Sequence, residues 1–120
     1  MSKYFKDSEI ECKCGCGFIK KSEDLISRLD TVREALGVPI VVTSWCRCPK
    51  HNAEVGGKPD SAHLKGLAVD LQAVTGRRKF ILVMLLLAHG FKRIGIDKDF
   101  IHVDIDETLP QSVLWIYQRR

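Results

Sequence analysis

Residues 61–70 read SAHLKGLAVD, and residues 99–106 read DFIHVDID. In the first segment Leu67, Ala68, Val69 and Leu71 surround Asp70, so 67–71 predicts a buried strand with a carboxylate inside it. An unpaired carboxylate in that place costs several kcal/mol of desolvation, and a metal ion is one partner that removes the cost. His63 stands just ahead of this strand. In the second segment His102 lies on another predicted strand, and Asp104, two residues on, shares its strand face. His63, Asp70 and His102 together offer three ligands to zinc and leave the fourth tetrahedral position open, which is how catalytic sites differ from closed structural ones. One of the two carboxylates, Asp70 or Asp104, can ligate while the other orients a ligand through a hydrogen bond. Either histidine alone reads more simply as a surface or half-buried residue. Asp70 is what shifts the weight.

Outward from these segments, the chain alternates short strands with two helices. Ser22 is placed to cap a helix, Glu23 and Asp24 suit its positive end, and Leu25, Ile26, Leu29, Val32 and Leu36 form its apolar stripe before Gly37. A short β-branched strand is expected at 40–43. The polar stretch 45–62, with Gly56, Gly57 and Pro59, is long for a connection in a small domain, and such loops are often functional. A second helix fits 77–89, apolar nearly all round and therefore expected to be buried. Strands follow near 92–96 and 100–105, and the β-prone tail 112–117 suits an edge strand. The pattern predicts an α+β fold with an antiparallel sheet and flanking helices.

A chain of 120 residues fits one domain, here 1–120, opened by a loop-rich, cysteine-containing segment at 1–20. Its 19 Lys+Arg and 15 Asp+Glu give a net charge of +4 that is spread out, with no basic face or recognition-helix pattern, so nucleic acid is not an expected partner. The longest apolar run, 80–88, falls far short of the roughly 20 residues needed to span a bilayer, so no membrane insertion is expected. MSKYFKDSEI has no apolar signal core, which predicts a chain made in the cytoplasm without a signal peptide.

Five cysteines are many for this length: Cys12, Cys14 and Cys16 in ECKCGCG, and Cys46 and Cys48 in WCRCP. An odd number cannot all pair within the chain, and cytosolic thiols normally stay reduced. A structural metal drawing on these five, plain thiols, or one bridge are the open readings. A metal clamp would also fix Arg47, which lies between Cys46 and Cys48.

SAHLKGLAVD fits Ser-x-His-x-x-Gly-x-Ala-x-Asp, and FIHVD supplies a distal His-x-Asp. With VTSWCRCPKHN followed by VGGKPDSAH, the chain resembles the M15 group of zinc D-Ala-D-Ala carboxypeptidases and L-Ala-D-Glu endolysins, small α+β domains that share their fold with the hedgehog signalling domain. The resemblance runs from ECKCGCG to the end. It implies Zn2+ on His63, Asp70 and His102, and a peptidoglycan stem peptide as substrate, handled by a monomer. Arg47 matches the substrate arginine, whose fork binds a carboxylate. Ser61 would be a polar contact beside it. An acid three residues before the distal histidine serves several members as general base for the zinc-activated water, and Asp99 holds that place; Asp97 competes with it, and both also fit a polar turn. A wall hydrolase without a signal peptide resembles a phage enzyme released through a holin pore or carried in the virion. The alternative to an enzyme is a zinc-containing binding module of the same fold that acts through wall or protein contacts.

Overall fold

The computed structural model describes residues 2–117. Its elements are α1 (Asp7–Ile10), α2 (Glu23–Leu36), β1 (Val42–Ser44), α3 (Pro49–Glu54), a 3-10 turn (Ala62–Lys65), β2 (Ala68–Gln72), α4 (Gly76–Ala88), β3 (Arg93–Ile96), β4 (Phe100–Asp104) and β5 (Val113–Ile116). The Ser22 hydroxyl accepts from the Leu25 N–H at 3.2 Å and starts α2. That bond satisfies one of the N–H groups a helix start leaves unpaired. Leu25, Ile26, Leu29 and Val32 then turn into the core.

The strands form one sheet in the order β1-β2-β4-β3-β5. The pairs β1–β2, β2–β4 and β4–β3 are antiparallel, but β5 runs parallel to β3. The sheet is therefore mixed and not wholly antiparallel. Loop 105–112 carries the chain back along the sheet, and Ser112, at φ 61, turns it into β5. The first strand also begins later than the β-branched run suggests, at Val42, although Ile40 is buried as well.

Strand alternation sorts the sheet into two faces. Val69, Leu71, Ile94, Ile101 and Val103 point into a core shared with Leu25, Leu29, Leu82, Leu86 and the fully buried Trp45. Helices α2 and α4 pack together over this face. The apolar α4 is not enclosed as its composition suggests: Leu82 and Leu86 are buried, whereas Phe80 and Leu87 are 70% and 55% exposed. A helix in an outer layer buries only the stripe that meets the sheet and its neighbour helix. The polar stretch 45–62 is likewise more ordered than a loop, since α3 and the start of the 3-10 turn lie in it. The opposite face of the sheet carries Asp70, His102, Asp104 and Arg93.

Candidate metal centre

Four ladders align one transverse row of residues: Ser44 faces Asp70, Asp70 faces His102, His102 faces Gly95, and Gly95 faces Trp115. Asp70, His102 and Trp115 of this row line a cleft of about 710 Å³, together with residues of the 55–63 segment and of the return loop before β5. His63 reaches the same cleft from the 3-10 turn. Ser61 caps that turn, its hydroxyl accepting from the His63 N–H at 3.2 Å. The Arg47 N–H donates to the His63 carbonyl at 3.1 Å, fastening the turn to the Trp45–Cys48 segment.

His63, Asp70 and His102 are all buried, and one ligand atom from each lies within 4.8 Å of the others. Hydrogen-bond partners determine which nitrogens face inward. His63 Nδ1 sits 2.6 Å from the Trp45 carbonyl, which only accepts, so Nδ1 carries the proton and Nε2 is left with a lone pair. That Nε2 is buried without a hydrogen bond and lies 3.2 Å from Asp70 Oδ1. His102 Nε2 donates to Asp104 Oδ2 at 2.8 Å, which turns Nδ1 toward Asp70 Oδ1 at 2.9 Å. In neutral histidines, three lone pairs would converge on one point. A proton or a cation must lie among them, and the donor set of two imidazole nitrogens and a carboxylate oxygen suits a divalent ion such as zinc.

Without a metal, protons do this work. Burial pushes the Asp70 carboxyl up, but the hydrogen bond from His102 and the close approach of His63 outweigh it and hold Asp70 well below the ordinary range. Burial pushes His102 down, but Asp104 and Asp70 outweigh it and raise His102 above 6.5. Asp104 is itself anchored, its Oδ1 accepting from Arg93 Nε at 2.7 Å and from the Asp106 N–H at 3.1 Å.

Arg47 lies over the other oxygen of Asp70. Its Nη2 donates to Asp70 Oδ2, its Nη1 to Asn52 Oδ1, and its Nε to the Ser44 hydroxyl, at 3.3, 3.3 and 3.2 Å. Asn52 is buried, donates to the Lys58 carbonyl at 2.9 Å, and packs so closely on Gly57 that a side chain there would overlap it. Ser61 and Arg47 line the cleft; Asp97 and Asp99 are not among its lining residues, whereas Asp60 is. Asp97 is buried in the β3–β4 turn, where its carboxylate accepts from the Asp99 N–H at 3.2 Å. Of the cysteines, Cys12, Cys14, Cys16 and Cys48 come together. Cys46 does not: its thiol donates to the Lys20 carbonyl at 3.1 Å, inside the core.

The sequence reading overlooked an aromatic wall on β5. Trp115 packs 5.5 Å from the His102 ring and 5.0 Å from the Arg93 guanidinium, and Tyr117 follows 6.1 Å from Trp115. Burial, assisted by the charges of Asp70 and Asp104, pushes the Tyr117 hydroxyl up to about 12. The signal was Gly95, because a glycine inside a strand marks a close approach. A Cβ at Gly95 would stand 2.5 Å from Trp115 Nε1.

A small α+β fold with a buried His–Asp–His cluster lining a cleft is the arrangement of a metallohydrolase. A family model described as Peptidase M15 matches residues 3–104, and the chain belongs to that family of metallopeptidases. No curated protein matches the chain. The matched residues contain the cluster and end before β5. Among the described residues, no helix is long and apolar enough to cross a membrane.

Proposed function

We propose that this chain is a zinc-dependent peptidase that hydrolyses an amide bond in the stem peptide of peptidoglycan. The observation carrying this reading is the buried convergence of His63 Nε2, Asp70 Oδ1 and His102 Nδ1 in a chain of the M15 family. These three atoms would hold the ion, and three protein ligands leave one tetrahedral position for chemistry. When bound, zinc supplies Lewis-acid polarisation of the scissile carbonyl and activates water near neutral pH.

The surrounding residues orient and bind. Asp104 fixes the His102 ring and its tautomer. Arg47 spends three of its five N–H donors within the protein, which leaves two for a substrate carboxylate. Ser61 offers a polar contact at the cleft margin. D-Ala-D-Ala and L-Ala-D-Glu bonds both present such groups, and the net charge of +4 suits an anionic wall. For the general base, spacing assigns Asp99, with Asp97 as its rival and the cleft-lining Asp60 as a third carboxylate. A monomer acting on the wall, phage-encoded and delivered through a holin or in the virion, completes the reading.

That neither Asp97 nor Asp99 lines the cleft favours a second reading, a zinc-containing module that binds wall or protein without turnover. Incubating the chain with peptidoglycan and its stem peptides, with zinc or with chelator, and identifying products by mass separates the two. Zinc-dependent cleavage supports the enzyme, and its absence from zinc-loaded protein eliminates it. Loss of cleavage in Asp99→Ala with zinc retained assigns the base to Asp99. Loss only in Asp97→Ala or Asp60→Ala moves it.

A further inference from the structure

The four clustered cysteines are separate from the His–Asp–His group, Cys48 follows Arg47 in the sequence, and the peptidase reading makes no use of them. We propose that Cys12, Cys14, Cys16 and Cys48 form a second, closed zinc site, structural in role, which clamps the N-terminal segment to the Arg47 loop.

The sulfur geometry carries the proposal. A tetrahedral Zn–S4 centre with bonds of about 2.3 Å has S···S edges of about 3.8 Å. The Cys12–Cys14, Cys12–Cys48 and Cys14–Cys48 sulfurs are 3.4, 3.8 and 3.7 Å apart. Cys16 Sγ completes the group within 4.8 Å. These separations far exceed a sulfur–sulfur bond of about 2.05 Å, and all five cysteines are free. Backbone donors already point at two of the sulfurs: the Cys48 N–H bonds to Cys12 Sγ and the His51 N–H to Cys48 Sγ, both at 3.4 Å. N–H groups directed at sulfur favour the thiolate that zinc requires.

The backbone accounts for the CxCxC spacing. In an extended strand, alternate side chains stand about 6.5 Å apart, too far to share one ion. Gly15 and Gly17, at φ 82 and 84, fold residues 12–18 into a closed loop. The Cys12 N–H donates to the Phe18 carbonyl at 2.8 Å and the Gly15 N–H to the Cys12 carbonyl at 3.3 Å. Side chains beyond glycine rarely adopt that conformation, so the loop is built to converge its sulfurs. Cys48, adjacent to Arg47, supplies the fourth corner from a segment 32 positions beyond Cys16 in the sequence. Cys46 lies outside the group because its thiol is held by Lys20. Four protein ligands leave no open position, which makes the site structural.

The test uses the full chain, purified without oxidation and loaded with zinc or with cobalt(II) alone. Elemental analysis is expected to give about two zinc ions per chain, falling to about one in Cys16→Ser and in Cys14→Ser, whose side chains are exposed. Cobalt-loaded wild type is expected to show thiolate-to-cobalt charge transfer and strong tetrahedral visible bands. The charge transfer should persist in His63→Ala and disappear in Cys14→Ser/Cys16→Ser. Because the signature reports sulfur ligation and not cleavage, it stands or falls separately from the peptidase reading. Wild-type cobalt protein without thiolate charge transfer overturns the proposal, and needs no variant to fold. So does a disulfide among the four cysteines, or zinc content unchanged in the cysteine variants.

Discussion

Asp104 tests how the proposed metal site is held, because two substitutions there should separate stability from metal affinity. Its carboxylate is 1% exposed and has two roles: Oδ1 pairs with Arg93 at 2.7 Å, and Oδ2 accepts from His102 Nε2 at 2.8 Å. In Asp104→Asn, the amide oxygen can still accept from Arg93 and the Asp106 N–H, but its NH2 then faces His102 Nε2. Two donors cannot share that contact, so the imidazole proton is driven to Nδ1, the atom that faces Asp70. A protonated Nδ1 cannot ligate. Loss of such an orienting partner typically costs 10- to 100-fold in metal affinity, or about 1.4 to 2.8 kcal/mol. In Asp104→Ala nothing forces the tautomer, so affinity should fall less. Stability should fall more, by about 3–5 kcal/mol, since Arg93 is left buried without its anion. Zinc competition against a chromophoric chelator, in a Cys14→Ser background that removes the thiol contribution, and urea unfolding in chelator give the two readouts. If Asp104→Ala lost more zinc affinity than Asp104→Asn, the tautomer argument would fail.

The metal-free chain should show a pH optimum set by the same groups. The stability from His102, raised above its ordinary 6.5, is complete below that value and is lost as pH climbs through the raised one. That from Asp70, held below its ordinary 3.8, is present above 3.8 and lost as pH falls through the lowered value. Thermal midpoints in chelator should therefore peak between about pH 4 and about pH 6.5, while the rise on adding zinc should grow with pH as proton competition fades; a metal-free midpoint that climbs steadily to about pH 9 would contradict this. Leu86→Ala, at a fully buried position, should cost about 2–5 kcal/mol in urea unfolding. Leu87→Ala, at the next residue, should stay within about 0.5 kcal/mol, and equal losses would mean that α4 is enclosed after all. Gly95→Ala should displace Trp115, costing about 1–3 kcal/mol and altering the near-ultraviolet circular dichroism, and an unchanged spectrum would count against the close packing.

Legibility in the sequence followed the range of the interaction. Ser22 and its capped helix could be read because a cap is a contact three residues long. His63, Asp70 and His102 could be singled out because a charge in an apolar strand is anomalous wherever the strand packs. The failures came where a partner decides the outcome. The composition of α4 says nothing of how many layers cover it, so the exposure of Phe80 and Leu87 is not visible in it. The tail 112–117 is β-prone, but the parallel direction of β5 depends on which edge it meets. Cys46 and Cys48 look equivalent in WCRCP, and only the fold sends one thiol to Lys20 and the other to Cys12 and Cys14. Asp99 keeps the spacing of a base, yet the β3–β4 turn leaves it outside the residues that line the cleft.

The row Ser44–Asp70–His102–Gly95–Trp115 has a consequence for how the chain finds its fold. Because strand side chains alternate, a slip of one residue between β2 and β4 would set Ile101 or Val103 opposite Asp70 and turn both histidine and carboxylate out of line. The misaligned sheet would keep nearly as many backbone bonds, so hydrogen bonding discriminates weakly against it. An ion that needs Asp70 and His102 side by side discriminates strongly, since its binding free energy accrues to one alignment alone. Metal bound in this row would thus act as a proofreader of strand pairing, rejecting sheets whose rungs are off by one.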